Sequence, residues 1–91
     1  MTVGPCTLCG RERLLTFHHL IPRKLHRRNA YRRAYTKEQL QEGIDLCRLC
    51  HGALHRLYDE VTLAKRLSTL PALRADEAVQ RHVKWARKQK S

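Results

Sequence analysis

Ten side chains in this sequence belong to the types that bind metals or move protons near neutral pH: four cysteines and six histidines. The cysteines form two pairs, Cys6-Thr7-Leu8-Cys9 and Cys47-Arg48-Leu49-Cys50. A C-x-x-C pair grips one side of a tetrahedral ion with two thiolates, and a second pair closes the other side. The chain opens on Met1-Thr2-Val3-Gly4-Pro5, without a charged or apolar leader, so it reads as not secreted. In that setting the doubled spacing points to one structural Zn²⁺ on Cys6, Cys9, Cys47 and Cys50, in preference to disulfides, a redox dithiol or unpaired buried thiols. Gly10 suits the tight turn of a zinc knuckle. Thirty-seven residues separate the pairs, against about 15–20 in a compact ribbon. The 20 residues from Arg23 to Glu42 differ in character from their surroundings. Without them the spacing is ordinary, so 23–42 reads as a basic insertion in a zinc-built hairpin.

Four histidines fall in two groups. His18-His19 lies near the end of a strand-like run, and His51 and His55 follow the second cysteine pair at i, i+4. That spacing sets both imidazoles on one helical face, one turn apart, a candidate metal-binding pair. Closing the cysteine site would draw both groups toward one point, separate from the four sulfurs. An ideal strand sends His18 and His19 to opposite sides. Both serve one site only where the strand bends, and Pro22 gives a reason for a bend. His26 reads as a solvated or DNA-facing residue, and His82 as a partly buried packing residue.

Cys6-x-x-Cys9, His18-His19-Leu20-Ile21-Pro22-Arg23 and Leu46-Cys47-Arg48-Leu49-Cys50-His51-Gly52-Ala53-Leu54-His55 together resemble the HNH nuclease family, with its ββα-metal (treble-clef) fold. The likeness spans residues 6–58. It implies a metal-dependent endonuclease that hydrolyses DNA phosphodiesters, leaving 5′-phosphate and 3′-hydroxyl ends. It also implies His18, His51 and His55 as ligands of one catalytic divalent cation, and His19 as general base. An imidazole titrating near ~6.5 suits that work. The family's middle Asn falls at Glu42 here, and Asp45 is the candidate that would orient the base. Nitrogen ligands favour Mn²⁺, Ni²⁺ or Zn²⁺ over Mg²⁺. Two other readings stand beside this one: a non-catalytic zinc-containing nucleic-acid-binding module, and a basic zinc protein acting on RNA.

These residues need elements to hold them. Residues 5–10 form the knuckle. Glu12–Ile21, rich in Leu, Thr, Phe and Ile, predicts a strand ended by Pro22. Residues 23–33 predict a basic helix or mobile arm. Thr36-Lys37-Glu38-Gln39 predicts a capping box and a short helix to about Glu42, with Gly43 as its C-cap. A short strand follows at Ile44–Leu46, then a helix over about 48–58. The C-terminal part, 59–91, predicts a helix capped by Asp59 or Thr62, and a last one over about 72–88 with Trp85 as its anchor. The expected architecture is a small α+β, zinc-stapled single domain over 1–91.

Nineteen Lys and Arg against eight Asp and Glu give a formal charge of +11. A bound zinc with four thiolates lowers this by two. With 42% hydrophobic residues the chain is too apolar for a disordered basic tail, and no run is long enough to span a membrane. The surplus charge calls for an anionic partner, most simply DNA. A ribosomal or membrane-surface role fits charge alone equally well. The candidate nucleic-acid-binding residues are Arg23, Lys24, Arg27, Arg28, Arg32 and Arg33, which suit phosphate contact without base reading. The expected location is the cytoplasm, on the nucleoid. No dimer surface is legible.

Overall fold

In the computed structural model, which describes residues 2–90, three strands form one antiparallel sheet in the order β1-β2-β3. β1 is Thr2–Pro5, β2 is Glu12–His19 and β3 is Gly43–Cys47. Six α-helices follow the chain: α1 Asn29–Ala34, α2 Lys37–Leu40, α3 Arg48–Leu57, α4 Glu60–Arg66, α5 Leu70–Ala75 and α6 Glu77–Ala86, with a 3-10 turn at Arg23–Leu25. The expected small α+β class is what the chain adopts.

The first strand was not anticipated. Thr2-Val3-Gly4-Pro5 contains a residue without N–H and a poor strand former, so nothing local announces it. It forms because β2 offers an edge, with Thr2 opposite Leu15 and Pro5 opposite Glu12. On its other side β2 pairs with β3: Leu15 faces Cys47, His18 faces Ile44 and His19 faces Gly43. Gly43 therefore opens β3 and is no helix cap. It must be glycine, since a Cβ there would collide with the His18 carbonyl and the Phe17 ring.

The capping box forms as predicted. Thr36 Oγ1 accepts from Gln39 N–H at 3.1 Å, and Gln39 Oε1 accepts from Thr36 N–H at 2.8 Å. The helix it starts is a single turn. Asp59 caps α4 by accepting from Thr62 N–H at 2.8 Å. The predicted last helix is two. Asp76 breaks it, its carboxylate taking the Val79 N–H at 3.1 Å and the Tyr58 hydroxyl at 2.7 and 2.8 Å. That pin fixes α6 to the end of α3.

The main core gathers Leu15, Leu46, Leu54, Leu63, Leu67, Leu73, Val79 and Ala86 with all four cysteines. The 23–42 segment is folded onto the body: Leu25 and Leu40 pack with Ile21 and Ala64 in a second small cluster flanked by Tyr31, Tyr35 and Val61. Trp85 is no anchor, being 50% exposed. No helix among the described residues is long and apolar enough to cross a membrane.

Candidate metal centres

The sheet brings the two cysteine pairs together. Cys6 and Cys9 lie in the turn between β1 and β2. Cys47 ends β3, and Cys50 sits in the first turn of α3. The turn is closed by Gly10 N–H to Cys6 O at 2.8 Å, and Gly10 has the positive φ (79°) that favours glycine. A second tie runs from Thr7, whose N–H and hydroxyl both donate to Asp45 O at 3.0 and 2.8 Å. All four cysteines are buried, with sulfurs within 4.8 Å of one another. Such an arrangement can hold zinc. Cys50 donates to Cys6 and holds that thiol down to about 4, while Cys50 itself is pushed up. Four sulfurs at this range cannot all ionise without a cation between them.

Arg11 was not singled out by the sequence, yet it serves this cluster. Its Nε donates to Cys9 Sγ at 3.4 Å and its Nη2 to Cys47 Sγ at 3.5 Å, while Nη1 reaches Gln89 O at 3.0 Å. Thiolates accepting from an arginine are oriented and partly neutralised by it.

The histidines form a second group. His18 is 1% exposed, and its Nε2 is buried with no hydrogen-bond partner. Its ring lies 5.2 Å from that of His51 and 5.6 Å from that of His55, and the three offer ligand atoms within 4.8 Å. Burial, then the neighbouring imidazoles, hold His18 down to about 4, and the same causes lower His51. Two of the three donors, His18 and His51, are thus biased to the neutral form that ligates metals.

The tautomer of His51 follows from its neighbour. Thr16 Oγ1 donates its one proton to Leu46 O at 3.0 Å, a carbonyl that can only accept. The same oxygen lies 2.7 Å from His51 Nδ1 and must there be the acceptor. His51 therefore carries its proton on Nδ1 and keeps the Nε2 lone pair free.

His19 stands outside this donor set but lines the same cavity of about 260 Å³, with Phe17, His18, Pro22, Arg23, Lys24, His51, His55 and Glu60. Its ring meets Phe17 edge-on at 4.9 Å and His26 at 5.5 Å. Burial and His26 lower it, while the Gln41 side chain beside it acts in the opposite sense as a hydrogen-bond partner. His26 is half-buried, not solvated: its Nε2 donates to Ile21 O at 2.6 Å.

Asp45 does not take the orienting position. It pairs with Phe17 two positions along the strand from His19, is exposed, and its carbonyl serves Thr7. The group beside the His19 ring is Gln41. Glu42 contributes only its carbonyl, to Leu20 N–H at 3.1 Å. Of the six candidate cations, all exposed, Arg23 and Lys24 line the histidine cavity. Arg32 lines a neighbouring cleft with His26, Gln41 and Lys37, and Arg28 a third with Tyr31 and Tyr35. Arg27 and Arg33 line none of these clefts. Glu60 and Phe17 were missed as cavity residues, the first as an unremarkable helix start, the second because its parity matched the buried Leu15.

No family model matches the chain, and no solved structure matches it. The chain is 38% identical over 93 residues to "Uncharacterized protein YisB" of Bacillus subtilis (strain 168), a match spanning 94% of this chain and 76% of that protein. The chain belongs to the family of YisB.

Proposed function

We propose that this chain is a metal-dependent endonuclease of the HNH type, acting on DNA, with β2, β3 and α3 as a ββα-metal (treble-clef) core closed by one structural zinc. The observation that carries the reading is His18. A buried imidazole nitrogen without a partner is costly, and this one faces two further imidazoles. A cation there would satisfy it.

In this reading His18, His51 and His55 hold the ion. Thr16 fixes His51 in the ligating tautomer. His19 is the general base, taking a proton from water in the same cavity while Gln41 and His26 limit the rotation of its ring. Arg23 and Lys24 at the rim hold the phosphate backbone in place. Once bound, a divalent cation would stabilise charge developing on the scissile phosphate and on the leaving oxygen. The imidazole-rich donor set supports Mn²⁺ or Ni²⁺ ahead of Mg²⁺. The DNA partner and a nucleoid location in the cytoplasm rest on the basic surface.

The test is plasmid nicking. Supercoiled DNA incubated with the protein and Mn²⁺, Ni²⁺ or Mg²⁺ should relax fastest in Mn²⁺ or Ni²⁺. His19→Ala should lower the rate at least 100-fold, in the range expected for losing a general base, with the metal still bound. DNA binding without nicking in any metal would assign the chain instead to the non-catalytic zinc modules. Cleavage confined to RNA would move the substrate.

A further inference from the structure

Trp85 is the single tryptophan of the chain, and half of its surface is open to solvent. It stands on α6, whose apolar side is already used: Val79 and Ala86 are buried in the main core and Val83 packs against it. The indole is backed by the His82 ring at 5.8 Å. Residues 81–90 contain Arg81, Lys84, Arg87, Lys88 and Lys90 and no acid. Arg81 lies at i−4 from Trp85, on its side of α6, with Lys84 adjoining; Lys88 sits in the turn just past the helix end, its N–H donating to Trp85 O at 3.1 Å, and all three are exposed. The segment is held in place. Gln89 Nε2 donates to Trp85 O at 3.2 Å, and Arg11 holds Gln89 O.

A solvated helix end has use for lysines but none for an exposed indole. A membrane-surface helix would present an apolar face to lipid, and that face of α6 lies in the core with one ring outside it. A ring flanked by cations matches a nucleic acid strand, which offers a π-face beside each phosphate. We propose that this face of α6 is a second nucleic-acid contact, remote in sequence from the histidine cavity, where Trp85 stacks on an unpaired base while Arg81, Lys84 and Lys88 hold adjoining phosphates. It rests on the reading of the chain as a nucleic-acid-binding protein and not on catalysis.

Because Trp85 is unique, its fluorescence reports the contact directly. The zinc-loaded, cleavage-deficient His19→Ala chain is titrated with an oligothymidylate, a DNA duplex, heparin as a base-free polyanion, and anionic lipid vesicles, with anisotropy following binding separately. The expected result is quenching by at least half with oligothymidylate and little with heparin. Trp85→Leu should weaken oligothymidylate binding about 10-fold, consistent with one lost stacking contact, and leave heparin binding unchanged. Lys84→Ala with Lys88→Ala should reduce the salt slope for oligothymidylate by about 1–2. Oligothymidylate binding without quenching, equal loss of heparin affinity in Trp85→Leu, or a fluorescence blue shift with vesicles alone would each overturn the proposal. So would absence of nucleic-acid binding. Failure of the wild type to nick plasmid leaves the quenching expectation standing, so the two readings fail separately.

Discussion

At the scale of single residues, the chemistry of the second centre turns on one hydroxyl. Thr16 has a single proton, and the Leu46 carbonyl takes it. The hydroxyl oxygen can then only accept from His51, and this fixes which imidazole nitrogen remains free. Thr16→Val keeps shape and strand preference while removing that acceptor. We expect about a 10- to 100-fold loss of affinity for Ni²⁺ or Mn²⁺ at the histidine set, read by calorimetry, with the zinc expected at the four cysteines unchanged. Unchanged affinity would show that Thr16 does not set the ligand. The sequence displayed the ligand candidates but not this partner. A His-x-x-x-His spacing is visible in one dimension, whereas Thr16 acts across 35 positions through β-sheet register. Gln41 was hidden for the same reason: nothing local distinguishes it from Asp45 or Glu42 until β2 and β3 are paired.

At the scale of elements, two positions carry predictions. Gly43 sits opposite His19, where a Cβ would meet the His18 carbonyl and the Phe17 ring. Gly43→Ala should cost about 1–3 kcal/mol in urea unfolding, the usual penalty of overpacking, and should weaken metal binding at the histidine set because the His18 backbone must move. A neutral effect would contradict the packing at this register. The second position is on α6. His82 is lowered by burial first and then by Arg56 and Arg11, against an opposing influence from Cys6. Its Nε2 is buried without a partner. The unfolded histidine takes its proton near ~6.5 while the folded one still resists, so stability falls as pH drops below that value. The slope from this residue is at most about 1.4 kcal/mol per pH unit. His82→Phe should flatten the decline measured by thermal melts between pH 7 and 5, and an identical decline would place its origin elsewhere. Helix caps were legible at this scale because Thr36 and Asp59 act within three residues. The break at Asp76 was not: its bond to the Val79 N–H is as local as those caps, but the apolar positions Leu73, Val79, Val83 and Ala86 run on across it, and its other partner, Tyr58, lies 18 residues away.

At the scale of the whole molecule, the four sulfurs stand inside the main core rather than beside it. A chain this small buries little apolar surface, so the cysteine site should decide whether it folds. A strong chelator is expected to abolish the cooperative thermal transition, and zinc readdition to restore it. Metal analysis of the folded protein should give one tightly held zinc per chain and one exchangeable divalent ion. Retention of the transition after complete zinc removal would contradict this dependence. The cysteine spacing made the site readable, and the 23–42 segment made its reach readable. Whether that segment was an arm or part of the body was not, because Leu25 and Leu40 find their partners in Ile21 and Ala64 only after α4 has docked.

Arg11 touches sulfurs of both cysteine pairs and the carbonyl of Gln89, 78 positions further on. One side chain thus fastens the turn that follows α6 to the cysteine turn between β1 and β2. The tail should dock late and come loose early, once those sulfurs lose their arrangement. Trypsin cleavage after Lys88 would then act as a gauge of zinc occupancy, with the carboxyl end released before any strand has opened.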